Sequence, residues 1–93
     1  MEVLWTSSSH NDLVKIHEFL MRHNPRKAQR AIQHIVREAK NLRIHPFMGS
    51  GLDTYMPRTV RQLHIGDYEL RYEVTHTALF ILRIWHTKED RMN

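Results

Sequence analysis

The sequence predicts an α+β fold of order β-α-α-β-β-β, a mainly antiparallel sheet covered on one face by a helical hairpin. Three observations carry this. Residues 58–86 read as three short strands joined by two tight turns: RTVRQLHI, YELRYEVT and ALFILRIWH. Upstream, two stretches of helical periodicity are separated only by Asn24-Pro25. The length of 93 residues suffices for one two-layer core and not for two, so residues 1–93 read as a single domain.

Each element has its own local signal. Met1 to Thr6 has the composition of a short strand, with Val3, Leu4 and Trp5 apolar. Ser7, Ser8 and Ser9 are candidate N-caps, and Ser9 followed by Asp12 has the spacing of a capping box. Leu13, Ile16 and Leu20 recur at helical spacing, with Val14 and Phe19 widening the stripe. This helix is expected to stop near His23-Asn24, because Pro25 suits the first turn of a new helix and not the interior of an old one. The second helix carries its stripe on Ala28, Ala31, Ile32, Ile35, Val36, Ala39 and Leu42, while its other faces are basic. So short a junction predicts an antiparallel pair. His45 to Pro57, with Pro46, Gly49, Ser50, Gly51 and Pro57, has no strong period and reads as loop.

In the sheet region Tyr68, Leu70, Tyr72 and Val74 alternate with Glu69, Arg71 and Glu73, the period of a half-buried strand. Gly66-Asp67 is a hairpin signal, with Gly supplying the positive φ of a primed turn. The last run is apolar on both parities and is expected to be the most buried strand.

Composition bounds the function. There are no cysteines, which excludes a disulfide framework or a thiolate metal site. No apolar run approaches the roughly 20 residues of a bilayer span, and the N-terminus lacks a secretory pattern, so the expectation is a cytoplasmic protein without membrane contact. Fourteen basic residues stand against 10 acidic ones, a formal charge of +4, which favours acidic partners such as nucleic acid or an acidic protein. None of the eight histidines pairs at the i, i+4 spacing of a helical zinc site and there is no HExxH, so neither a metal nor a cofactor is expected.

Parity assigns the side chains to faces. Pairing Ile65 with Tyr68 puts Leu63 and Leu70 on the core face, and sets His64 opposite Glu69 and Gln62 opposite Arg71 on the open face. A three-residue second connection adds Ala78, Phe80, Leu82 and Ile84 to the core face, and Leu79, Ile81, Arg83 and Trp85 to the open one. The open face then carries basic and acid/base groups, with His86 at the strand end. Two uses are compatible with it. One is a phosphate- or RNA-handling surface, where arginines neutralise phosphate, His64 or His86 moves protons and Trp85 stacks on a base. The other is an ordinary solvated face in which Arg71 and Arg83 pair with Glu69 and Glu73. The basic helix is likewise compatible with a solvated exterior, a nucleic-acid face or a docking surface for an acidic partner.

Order, spacing and length together make the chain resemble the RelE/ParE superfamily of toxins from bacterial type II toxin–antitoxin modules. The residues that carry the resemblance are the opening MEVLW, the serine-rich helix start with Asp12-Leu13, Asn24-Pro25 with Ala28, Leu42, Pro46 and Gly49, the stretch VRQLHIGDYELRYEV, and the final ILRIWH with its charged tail. The resemblance covers nearly the whole chain and implies one toxin domain over 1–93. It also implies a cognate antitoxin, operator DNA reached indirectly through that antitoxin, and a cellular target whose poisoning stops growth.

Two mechanisms follow from it. RelE-like members cleave mRNA on the ribosome by attack of the 2′-OH on the adjacent phosphate. On that reading Arg61, His64, Arg83 and His86 are the catalytic candidates, with His86 where some members have a catalytic histidine and His64 facing the same groove. Against it, Gln62 occupies a position where such enzymes often have arginine, Phe47 to Pro57 contains no lysine or arginine, and no tyrosine follows the last strand. ParE-like members share the fold and poison DNA gyrase, and Gly66-Asp67-Tyr68 and Asn24-Pro25 read closer to that side. Arg71, Trp85 and Lys88 are then candidate target or nucleic-acid contacts, and Arg30, Arg37 and Lys40 candidate antitoxin contacts. A third class is an inert toxin fold kept as a binding module or co-repressor.

Overall fold

The computed structural model describes residues 1–88, so the charged tail lies outside the described residues. Its elements are β1 (Glu2–Trp5), α1 (Ser7–His23), α2 (Pro25–Asn41), β2 (Ser50–Gly51), a 3₁₀ turn (Asp53–Tyr55), β3 (Thr59–Ile65), β4 (Tyr68–Val74) and β5 (Ala78–His86). They form a two-helix layer on a five-stranded sheet of order β1-β5-β4-β3-β2. β1 runs parallel to β5, and the other pairings are antiparallel. The expected α+β order is present. β2 and the 3₁₀ turn arise inside the stretch read from sequence as loop, because Ser50 and Gly51 pair with Gln62 and Arg61 at the sheet edge.

The helix boundaries follow from capping. The N-cap of α1 is Thr6, not one of the serines: its Oγ1 accepts from the Ser9 N–H at 3.1 Å and donates to the Ile81 carbonyl at 2.8 Å. Ser9 is fully buried inside the first turn, so the Ser9-Asp12 box does not form. Asn24 serves both helices, donating its N–H to the Leu20 carbonyl and accepting from the Lys27 N–H. With Pro25 next, one residue ends α1 and starts α2.

Leu20, Ala28, Ile35, Ala39 and Leu42 face Leu63, Ile65, Leu70, Tyr72, Leu79, Ile81 and Ile84 across one continuous core. Burying each large aliphatic side chain contributes about 1.5–3 kcal/mol. The helical stripes are narrower than periodicity suggested, since Val14, Phe19 and Val36 are exposed.

The β3–β4 register is as parity predicted: Leu63 faces Leu70, Gln62 faces Arg71 and His64 faces Glu69. The positive φ falls on Gly66 alone, the first central position, as a type II′ turn requires. The β4–β5 pairing departs from expectation. Tyr72 pairs with Ile81 but Arg71 pairs with Arg83, leaving Leu82 as an extra residue in a bulge. Residues before it therefore have inverted parity, so Leu79 and Ile81 join the core and Phe80 lies opposite Glu73 on the other face. Ile84 and Trp85 keep the faces expected for them.

Candidate functional site

The sheet face away from the helices is not open. The segment after β2 folds over it, tied by the Leu52 N–H donating to the Val60 carbonyl at 2.8 Å. The 3₁₀ turn brings Tyr55 against Arg71, whose Nη1 donates to the Tyr55 hydroxyl at 2.8 Å. The Arg71 guanidinium lies 5.5 Å from the Tyr55 ring centroid and 4.8 Å from that of Trp85. The planar cation therefore meets two aromatic rings, a contact that gains strength as water leaves. Its Nε is buried without a hydrogen-bond partner, and Trp85 is itself buried.

The charge pairs on this face differ from those expected. Glu73 accepts two hydrogen bonds from Arg58, at 3.0 and 2.8 Å, and this contact holds its carboxyl below the usual carboxylate range. Glu69 lies 3.6 Å from His64. Arg83 pairs with neither.

Arg61 lies two residues before Leu63 on β3 and so shares the helix-side face with it and with its partner Tyr72. Both hold the loop after α2. Arg61 donates through Nε to the Gly49 carbonyl at 2.7 Å and through Nη2 to the Phe47 carbonyl at 3.2 Å, and lies over the Phe47 ring. The buried Tyr72 hydroxyl donates to the Pro46 carbonyl at 2.8 Å and accepts from the Gly49 N–H at 2.9 Å. A Cβ at position 49 would come within 2.6 Å of the Gln62 carbonyl oxygen, which is why glycine stands there.

Beyond Ile81, β5 has no β1 partner along that edge, and α1 takes over. The Asp12 carboxylate accepts from Arg83 Nε at 2.8 Å, from Arg83 Nη2 at 3.1 Å and from the Ile84 N–H at 2.9 Å. Between this edge and α1 runs a groove of about 830 Å³. Its floor is Ile16, Leu20, Ile84 and Tyr68, the half-exposed Phe19 stands on its rim, and Lys15, Arg22, Lys27 and Lys88 outnumber Glu18 and Asp67 around it. Burial, reinforced by Asp67, pushes the Tyr68 phenol above its ordinary value.

His86 belongs to this groove. It pairs with the core-facing Tyr68, whose ring it meets edge-on at 5.2 Å, and its Nδ1 accepts from the Lys88 N–H at 3.1 Å. His64 alternates with the core residues Leu63 and Ile65 and so lies on the opposite face of the sheet. The two histidines do not share a groove, contrary to the expectation attached to the nuclease reading.

Of the four catalytic candidates, Arg83 and His86 both line the groove, with Arg83 held by Asp12, while Arg61 holds the loop after α2 and His64 lies on the covered sheet face. Of the target candidates, Arg71 and Trp85 stack on one another while Lys88 lines the groove. Arg30, Arg37 and Lys40 lie exposed on α2 outside the groove. Sequence reasoning named Asp12 for a cap and the resemblance, Tyr72 for the core face and Phe19 for the helical stripe, and did not single out Tyr55. Only the departure of Phe19 from the strict Leu13, Ile16, Leu20 spacing was a usable signal.

A family model described as the ParE toxin of the type II toxin–antitoxin system, parDE, matches residues 3–91. The solved chromosomal ParDE toxin–antitoxin system from P. aeruginosa contains a chain 29% identical to this one. The match covers 92% of this chain and 95% of that one, with a TM-score of 0.78. Among curated proteins, none matches.

Proposed function

Because the chain belongs to the ParE toxin family of type II toxin–antitoxin systems, we propose that it arrests growth by poisoning DNA gyrase and does not cleave mRNA on the ribosome. The toxin assignment rests on the family and on the ParDE-like fold. The observation that carries the choice of mechanism is that only Arg83 and His86 of the candidates share the groove, with Arg83 already paired, while Arg61 and His64 lie away from it. Cleavage by 2′-OH attack needs a base, an acid and a charge-stabilising cation around one phosphate, each within hydrogen-bond reach. Here Arg83 is occupied by Asp12 and Arg61 by two loop carbonyls. Arg71 contacts two aromatic rings, and His64 and His86 lie on opposite sides of the sheet.

Its partner is a cognate antitoxin. The α1–β5 groove suits an acidic amphipathic segment that folds on binding. Such a segment would set apolar side chains on Ile16, Leu20 and Ile84 and its carboxylates against Lys15, Arg22, Lys27 and Lys88. Charge complementarity at the groove rim then speeds association, while the apolar floor supplies the affinity.

The test is macromolecular synthesis after brief induction without antitoxin. Continued translation with stalled replication, together with trapped gyrase–DNA cleavage complexes when purified enzyme is treated with the chain, is the expected result. An immediate fall in translation with mRNAs cut on ribosomes overturns it in favour of the nuclease. Absence of any growth defect leaves only a binding module.

A further inference from the structure

The outward flank of α2 carries charge that neither the groove nor the sheet face uses. Arg26, Arg30, Arg37 and Lys40 are all exposed. Among the described residues none of them enters an ion pair; the three bridges are Arg58–Glu73, His64–Glu69 and Arg83–Asp12. At about 100° per residue these four side chains fall within a sector of about 80°, and at 1.5 Å per residue their line runs about 21 Å. Glu38, the one acid of α2, lies about 120° from Arg26 around the helix. The core stripe of Ala28, Ile35 and Ala39 fixes this orientation by burying the opposite side, so the cations stand on a rigid line.

Three kinds of polyanion could meet such a line, and the composition of the flank separates them. An acidic protein segment that orders on binding needs apolar anchors to offset its lost entropy. The sector holds only Arg26, Arg30, Gln33, Arg37 and Lys40; the exposed Val36 stands about 40° outside it, and the larger apolar set lies in the groove. Single-stranded nucleic acid is held by aromatic stacking as well as charge, and α2 contains no aromatic residue. A duplex presents regularly spaced phosphates on a stiff rod and needs no apolar or aromatic contact. We propose that this flank of α2 binds the phosphate backbone of duplex DNA directly, without reading sequence.

The test is fluorescence anisotropy of a labelled random-sequence DNA duplex of about 20 base pairs, titrated with the chain at several salt concentrations. Four neutralised phosphates give a slope of log K against log[salt] of about −3.6, so affinity falls about 100-fold between 50 and 200 mM salt. The variant R26Q/R30Q/R37Q/K40Q, whose glutamines preserve helix propensity, is expected to lose binding and to flatten the slope. A control that removes four groove cations, K15Q/R22Q/K27Q/K88Q, has the same net charge and is expected to keep most of the slope. The single variants R30Q and R37Q, each shifting the slope by about 0.9, keep the test decisive if circular dichroism finds the fourfold variant unfolded. Four results overturn the proposal: no binding at 50 mM salt, equal losses in both fourfold variants, single-strand binding tighter than duplex binding, or capture of polyglutamate with no capture of DNA.

Discussion

Arg83 is expected to act on stability through Asp12, and the structure sets the size of the effect. Asp12→Ala removes three acceptor contacts at 2.8, 3.1 and 2.9 Å. The bond to the Ile84 N–H is part-buried, on a residue whose side chain lies in the core, and orphaning such a donor costs about 1–3 kcal/mol. The guanidinium is 43% exposed, so screening holds its share to about 0.5–1 kcal/mol. Asp12→Ala is therefore expected to destabilise by about 1.5–4 kcal/mol. Arg83→Ala is expected to cost about 1–2 kcal/mol, because it strips a partly buried carboxylate of its cation while leaving the Ile84 bond. The two are expected to couple by about 0.5–1 kcal/mol in a double-mutant cycle. Urea unfolding measures all four corners, read as shifts in midpoint at constant m. Asp12→Asn, which keeps an oxygen for the Ile84 N–H, is expected to lose less than Asp12→Ala. Additive single effects, or an Asp12→Ala variant as stable as the parent, would refute the reasoning.

Three further outcomes are expected. Leu70→Ala, at a fully buried position facing the helices, should cost about 2–5 kcal/mol in the same assay, and a negligible change would contradict the core-face assignment. Tyr72→Phe removes the hydroxyl that clamps Pro46 and Gly49. It should cost about 1–3 kcal/mol and speed hydrogen exchange at the Gly49 amide, with unchanged protection counting against the clamp. The Arg58–Glu73 pair predicts a pH dependence whose sign follows from the depressed Glu73 carboxyl. Its contribution is complete above the ordinary glutamate value of about 4.3 and is lost as pH falls through the lower folded-state value. The stability difference between the parent and Glu73→Gln should therefore be flat near neutrality and shrink in acid; a difference that grew in acid would contradict it.

The site was less legible than the fold, and particular residues explain why. The alternation of Tyr68 to Val74 and the turn at Gly66-Asp67 fixed the β3–β4 register, because both report on backbone geometry within a few residues. Asn24-Pro25 located the helix junction for the same reason. The β4–β5 register failed at Leu82, since the residue left unpaired depends on where both strands settle against the helices and β1. The basic residues were all visible, but their roles were not. Arg83 finds Asp12 from 71 positions away, Arg71 finds Tyr55 across 16 and Tyr72 finds Pro46 across 26.

What the sequence determined by itself, then, was the element order, the helix-side face of β4 and the resemblance to RelE/ParE toxins. These depend on dihedral preference and hydrophobic period, which are local. What only the tertiary structure decided was which arginine is stacked, which is clamped and which stands exposed on α2. A long flexible cation takes its partner from whichever acceptor or ring the packed layers bring within reach, and its own neighbours in sequence do not encode that.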